Sequence, residues 1–288
     1  MRQRKFLLPT LLLGALVLFA GCAANGNPPE IDIRGSDTMV NLGGALAEAY
    51  MDKHDNLDLV VQGGGSGTGI AAVLNQNADL AQSSRAMSEE EWDQAKASGI
   101  DIEEIIIAYD AIVVSVHEGN PVESLSLSDL GAIYRGEITN WSEVGGNDAG
   151  IVLLSRDTTS GTFVFYREAV VREFGEKPDA EYADDALFQP STQAIVDETR
   201  QNPNAIGYIG LGYLGDGIKP VRLITPDSDV PVSPVEDHPE GVAYPLARPL
   251  YFYVVGDPGE ALRDYLNFVV SDEGQRVVRE LNFLPIPK

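Results

Sequence analysis

Residues 151–174 read IVLLSRDTTSGTFVFYREAVVREF. Ile151 to Leu154 form a short apolar run of the kind that builds a buried strand. Ser155 to Gly161 are rich in turn formers and hydroxyl donors, and the spacing of apolar residues after them predicts a helix over 162–174. The same plan occurs twice more. Ile31 to Ile33 alternate as a strand, Gly35-Ser36-Asp37-Thr38 turns, and Met39, Leu42, Leu46, Ala49 and Tyr50 share one helical face. Leu57 to Val61 read as a strand, Gly63 to Gly69 as a glycine-rich turn, and Ile70 to Asn77 as a short helix. The units share a plan and not residues, so there is no internal repeat. Strand–turn–helix order predicts an α/β fold with mainly parallel sheets.

Outside these units, two apolar runs read as buried strands: Ile105 to Val116, interrupted by Tyr109-Asp110, and Leu250 to Val255. The stretch from Asp216 to Pro249 carries seven prolines and little periodicity, and is expected to be extended segments and turns. A closing helix is expected over 258–281, with Leu262, Tyr265, Leu266, Val269 and Val270 as its apolar stripe.

Composition narrows the function. In 288 residues, 20 Lys and Arg face 44 Asp and Glu, a net charge of −24. A nucleic-acid partner is excluded, because phosphate backbones are held by clustered cations. An anionic lipid surface repels the chain unless something other than charge anchors it. At 44% hydrophobic residues the chain has ample material for a core. At first sight the acidity also argues against an anionic ligand. The single cysteine, Cys22, and the three scattered histidines, His54, His117 and His238, show no metal-ligand spacing, so neither a metal nor another cofactor is expected. Six lysines against 14 arginines, with so many acids, suggest high external salt, in which stability should rise.

The first 21 residues have the grammar of a signal peptide. Arg2, Arg4 and Lys5 form a basic start, Phe6 to Ala20 an apolar stretch too short to span a bilayer, and Ala20-Gly21 a small-residue site before Cys22. Leu18-Phe19-Ala20-Gly21-Cys22 resembles the lipobox of bacterial lipoproteins, which implies lipidation of Cys22. Lipid chains anchor through about 0.8 kcal/mol per buried methylene, whatever the protein's charge. Cleavage before Cys22 removes three positive charges and no acids, leaving 17 minus 44, or −27. Residues 22–29 are then a short tether.

The three turns carry the chemistry. A helix start exposes unpaired N–H groups and about half a positive charge, glycines let backbone close on a ligand, and hydroxyls add donors. Such turns bind phosphate-like oxyanions at the carboxyl ends of strands, although Ser and Thr are also ordinary helix caps. Three in one chain, two with an arginine close by, favour the ligand reading. Arg156 precedes a donor-rich helix start and offers a planar fork for two oxygens. Arg85, in Gln82-Ser83-Ser84-Arg85, has two readings: a ligand contact, or an ion pair with acids among Glu89 to Glu91.

Gly35-Ser36-Asp37-Thr38, Gly63 to Gly69, Ser83-Ser84-Arg85, Gly136 to Trp141, Arg156 to Thr162 and Asn204 to Tyr208 resemble, in that order and over nearly the whole chain, the phosphate-binding proteins of ABC phosphate importers, the PstS family. The resemblance implies a two-lobed periplasmic-binding-protein fold. It would have two mostly parallel mixed sheets flanked by helices, with a hinge of two crossing segments near 108–114 and 245–250. Residues 30–110 plus 248–288 would form lobe one and residues 111–247 lobe two, closing on dehydrated phosphate. It implies phosphate contacts from Ser36, Thr38, Met39, Ser66, Arg85, Arg156, Ser160, Gly161 and Thr162. The best-known branch has an aspartate, which accepts the phosphate proton, where Arg85 stands. Asp37 and Asp157 are the candidate acceptors here, with a plain structural role open for each. The implied partners are inorganic phosphate, an ABC permease complex and the membrane through lipidated Cys22. The protein would be an extracytoplasmic monomer that binds no nucleic acid. Trp141 is expected to pack the second lobe, Asn204 to Tyr208 to turn into a strand, and His117 to sit in a solvated loop.

Enzyme readings fit poorly. A P-loop needs Gly-Lys-Ser/Thr after the glycines, and position 70 is Ile. A nucleophile elbow needs Gly-x-Ser-x-Gly, whereas Thr68 lies two residues beyond Ser66, and Thr158 and Thr162 flank Ser160. A phosphate-ester hydrolase and a non-transport module, such as an oxyanion sensor or adhesin, remain the alternatives.

Overall fold

The structure, a computed structural model, describes residues 28–226, 228–234 and 244–287. The signal segment, Cys22, most of the tether, and His238 lie outside the described residues. The chain begins with β1 (Glu30–Gly35), α1 (Val40–Met51), β2 (Asp58–Gln62), α2 (Ser66–Leu74), β3 (Leu80–Ser83), α3 (Glu89–Ala97) and the long β4 (Ile102–His117). Next come β5 (Ser124–Ser126), α4 (Leu127–Tyr134), β6 (Val152–Arg156), α5 (Gly161–Tyr166), β7 (Leu187–Gln189), α6 (Thr192–Gln201) and β8 (Ala205–Gly210). Three short strands, β9 (Ile218–Pro220), β10 (Arg222–Thr225) and β11 (Ser228–Val232), precede the return strand β12 (Ala247–Val255) and the helices α7 (Gly259–Val270) and α8 (Asp272–Glu280).

Nine strands are joined in the order β2-β1-β3-β12-β4-β8-β6-β7, with β9 also on β4. Within this sheet, parallel pairing lies in the wings: β1 with β2 and β3, and β6 with β7 and β8. The centre is antiparallel, because β4 and β12 cross between the wings in opposite directions. The sheets are therefore mixed, and less parallel than the strand–turn–helix plan predicts. β4 changes partner along its length, pairing with β12 from Ile102 to Ala111 and with β8 from Ile112 to Val116.

The apolar packing divides at this change of partner. One cluster runs from Ala111 to Leu246; the other two take residues up to Ala108 and from Leu250 onward. The bodies built on these cores are called the second and first lobe below. In the first lobe, alternate residues of β12 serve opposite faces, as strand geometry requires. Leu250, Phe252 and Val254 pack with α1, α7 and α8, while Tyr251 and Tyr253 pack with residues of α2 and α3. Helices thus cover both faces of that sheet. The proline-rich stretch supplies β9, β10 and β11, with β10 pairing β5 and β11 in a separate small sheet.

Three helices differ from their sequence reading. The closing helix is two helices, because Ser271 is extended and caps a new start, its Oγ accepting from Gly274 N at 3.3 Å. The helix expected over 162–174 is α-helical only to Tyr166, widens into a π-turn from Arg167 to Val171, and stops where Glu173, Phe174 and Gly175 take positive φ. The helix expected from Ile70 begins earlier, at Ser66. Gly65, at φ +91°, makes the sharp turn, a conformation a side chain would oppose.

Candidate functional site

Because β1, β2 and β3 run parallel, the turns that follow them lie at one edge of the first sheet. Ser36, Ser66 and Ser84 meet there and are all buried. Ser36 Oγ donates to Ser84 Oγ at 2.9 Å, and Ser66 Oγ accepts from Ser84 N at 3.0 Å. Thr38 follows Ser36 on a short 3-10 turn and is also buried. In the second lobe, the turn after β6 leads into α5, where Ser160 Oγ accepts from Thr162 N at 3.2 Å. The Tyr208 hydroxyl holds the base of this turn, accepting from Arg156 N at 3.1 Å and bonding Ser155 Oγ at 2.8 Å.

The two groups of turns touch. Thr38 Oγ1 and Thr162 Oγ1, 124 residues apart, are hydrogen-bonded at 2.8 Å. Gly67 N donates to Thr159 O at 3.0 Å, and Thr159 Oγ1 lies 3.3 Å from Gly64 O. Gly161 is pressed against the serine cluster so closely that a Cβ there would stand 2.8 Å from Ser84 Oγ and nearer still to Ser66 Oγ. The structure therefore brings Ser36, Thr38, Ser66, Ser160, Gly161 and Thr162 into one place.

The charged groups are less uniform. Arg156 is 1% exposed; its Nη2 lies 2.7 Å from Asp37 Oδ2, its Nη1 donates to Thr192 Oγ1 at 2.9 Å, and its Nε to Gln189 O at 3.3 Å. The other Asp37 oxygen accepts from Gly64 N at 3.1 Å. Asp157 turns to its own loop, accepting from Thr159 N at 2.9 Å and from the Thr159 hydroxyl. Arg85 is occupied: its two Nη atoms grip the two oxygens of Glu91, each at 2.7 Å, which is the ion-pair reading. Met39 lies wholly in the core, and its N–H is bonded to Ser36 O at 3.0 Å, so it presents no group to the cleft in this arrangement.

Sequence reading missed a second charged pair. Asp110 on β4 and Arg248 on β12 are both buried, with Arg248 Nη2 3.0 Å from Asp110 Oδ2. Arg248 Nη2 also donates to Thr162 Oγ1 at 2.8 Å. Burial pushes the Asp110 carboxyl above its ordinary range, against the pull of Arg248 and of the Leu211 N–H. The signal was present: an acid inside an apolar strand requires a buried partner. Tyr213 was missed as well; its hydroxyl donates to Asp37 O at 2.7 Å. Burial, with Asp37 nearby, pushes its phenol up to about 12.

Elsewhere, Trp141 is buried in the second lobe and donates to Asn204 O at 2.9 Å, and residues from Ala205 form β8. His117 sits at the end of β4, where Nδ1 accepts from Gly119 N at 2.9 Å. His54 stacks on Tyr50. Among the described residues, no group of three or more His, Cys, Asp or Glu could hold a metal ion. Apart from the Asp37 and Asp110 carboxylates, which pair with the arginines, the convergent groups are donors: hydroxyls, backbone N–H and guanidinium. Such a set suits an acceptor-rich anion.

A family model described as a PBP superfamily domain matches residues 23–273. The chain is 28% identical to the phosphate-binding protein PstS of Pseudomonas aeruginosa over 281 residues, which is 92% of this chain and 85% of the relative. It is 26% identical to the phosphate-binding protein PstS of Borreliella burgdorferi over 287 residues, 99% of each. An ABC-transporter substrate-binding protein from Clostridium perfringens, solved with bound phosphate, matches at a TM-score of 0.77 and 30% identity, over 90% of this chain and 100% of that one.

Proposed function

The chain belongs to the PBP superfamily, and on that premise we propose that it is the phosphate-binding component of an ABC importer. It takes inorganic phosphate outside the cytoplasm and hands it to a permease. The observation that carries this reading is the meeting of the two lobes at one edge, Thr38 with Thr162, Asp37 with Arg156, and Ser66 and Ser84 against Gly161. Closure around a small oxyanion needs each lobe to supply part of the donor set. The similar proteins of Pseudomonas and Borreliella bear the name phosphate-binding protein, and the Clostridium structure holds phosphate.

In this reading Ser36, Thr38, Ser66, Arg156, Ser160, Gly161 and Thr162 hold the anion, and β4 with β12 forms the hinge. Asp37 is the acceptor for the proton of monohydrogen phosphate, because it already shares Arg156 with the site while Asp157 is turned to Thr159. Sulfate, with no proton at neutral pH, leaves that acceptor unmatched. Signal cleavage and a lipid on Cys22 tether the protein to the membrane, which makes the chain's negative charge irrelevant to its attachment.

Calorimetry on phosphate-stripped protein with phosphate, arsenate, sulfate and molybdate tests the function. Phosphate and arsenate are expected to bind and the other two not to compete. Equal competition by sulfate or molybdate would replace the ligand and keep the class. Heat from none of the four would reject the function.

A further inference from the structure

Arg248 sits where the hinge strand β12 meets the site. Its guanidinium is buried and makes two kinds of contact, to Asp110 on the other crossing strand and to Thr162 Oγ1 in the second lobe. A guanidinium can only donate, so Thr162 Oγ1 must accept from it. The hydroxyl proton of Thr162 is then left to point away from Arg248, toward Thr38 Oγ1 or toward an anion in the same place. The third nitrogen, Nη1, is buried and has no hydrogen-bond partner among the described residues, a condition that buried donors rarely tolerate. A cavity of about 530 Å³, with Ser84, Phe165, Arg248 and Tyr251 in its wall, lies beside the guanidinium. Arg156 is bound to Asp37 and Arg85 to Glu91, and neither of those forks is hydrogen-bonded to a hydroxyl of the apposed threonine pair.

We infer that Arg248 is a positioning residue of the anion site, a second guanidinium delivered by the hinge that makes Thr162 an obligate donor to the bound oxyanion. Asp110 holds Arg248 in place and offsets its charge when the site is empty. The inference rests on the oxyanion function proposed above and extends it to two residues of the crossing strands.

Arg248→Met alone strands the Asp110 charge and could fail to fold. The informative protein is the full chain carrying Arg248→Met with Asp110→Asn, which removes both charges and keeps an acceptor for the Leu211 N–H. It is measured beside wild type, Thr162→Val and the triple variant, by thermal melting and by phosphate calorimetry. The expected result is a melting temperature close to wild type with phosphate bound at least about tenfold more weakly, the range for a lost charge-assisted hydrogen bond. Adding Thr162→Val to that pair should cost less than Thr162→Val costs in wild type, the mark of two residues acting through one contact. Wild-type affinity in the double variant, or losses that simply add, would overturn the inference while leaving the function intact. Wild-type protein that binds no oxyanion would overturn both.

Discussion

Asp37 Oδ2 and Arg156 Nη2 stand 2.7 Å apart, a salt bridge that joins the turn after β1 in the first lobe to the end of β6 in the second. A carboxylate that neutralises the site's arginine also faces whatever anion the arginine holds. Under the function proposed above, the pair is both a lobe contact and a filter. Arg156→Ala is expected to weaken phosphate binding by about 2–5 kcal/mol, roughly thirtyfold or more, because a buried charge partner is lost. Asp37→Asn should instead reduce the preference for phosphate over sulfate, which competition calorimetry reads directly. Unchanged discrimination would transfer the proton-acceptor role away from Asp37.

Gly161 offers a test of closure. A methyl group there would collide with Ser66 and Ser84 across the lobe interface. Overpacking of this kind costs about 1–3 kcal/mol. Gly161→Ala should weaken phosphate binding by roughly five- to a hundred-and-fiftyfold. Scattering in saturating phosphate should show a larger radius of gyration than wild type. A variant as compact and as tight as wild type would mean that the lobes meet differently around the ligand.

Arg85 should be nearly silent in binding. Its fork is committed to Glu91, and Ser88 adds its N–H to the same carboxylate at 2.8 Å. Arg85→Met is expected to keep phosphate affinity within about threefold and to cost about 0–1 kcal/mol of stability, as for other partly exposed pairs. A large loss of affinity would restore Arg85 to the ligand set.

Tyr213 predicts an alkaline difference. Its folded-state pKa is raised from 10.0 to about 12, so the stability it contributes is fully present below pH 10 and disappears as pH rises through 12. Tyr213→Phe loses the bond to Asp37 O, worth about 0.5–1.5 kcal/mol. Its unfolding free energy should then fall less steeply than wild type between pH 10 and 12. Denaturant titrations at four pH values over that interval check the slope; parallel curves would contradict the assignment.

Much of the site was legible locally. A turn's donors, its glycines and the helix that follows are neighbours in sequence, so Ser36, Thr38, Ser66, Ser160 and Thr162 could be picked out before any fold was known. Ser271 was not legible as a break, because a serine cap competes with plain continuation of the helix. Arg248 and Asp110 were hidden for another reason. Each looks like an odd charge in an apolar stretch until β12 is laid beside β4, with Arg248 opposite Asp110.

The sequence by itself determined the α/β plan, the three donor-rich turns and the two arginines beside them, since each depends on residues within a few positions of one another. Only the tertiary structure decided how the charges pair. It matched Arg156 with Asp37, Arg85 with Glu91 and Arg248 with Asp110, and it set Thr38 against Thr162. Except for Arg85 with Glu91, these partners come together only when distant strands take neighbouring places in the sheets and the two lobes meet. Even within reach in sequence, burial and competing donors choose which oxygen a guanidinium keeps.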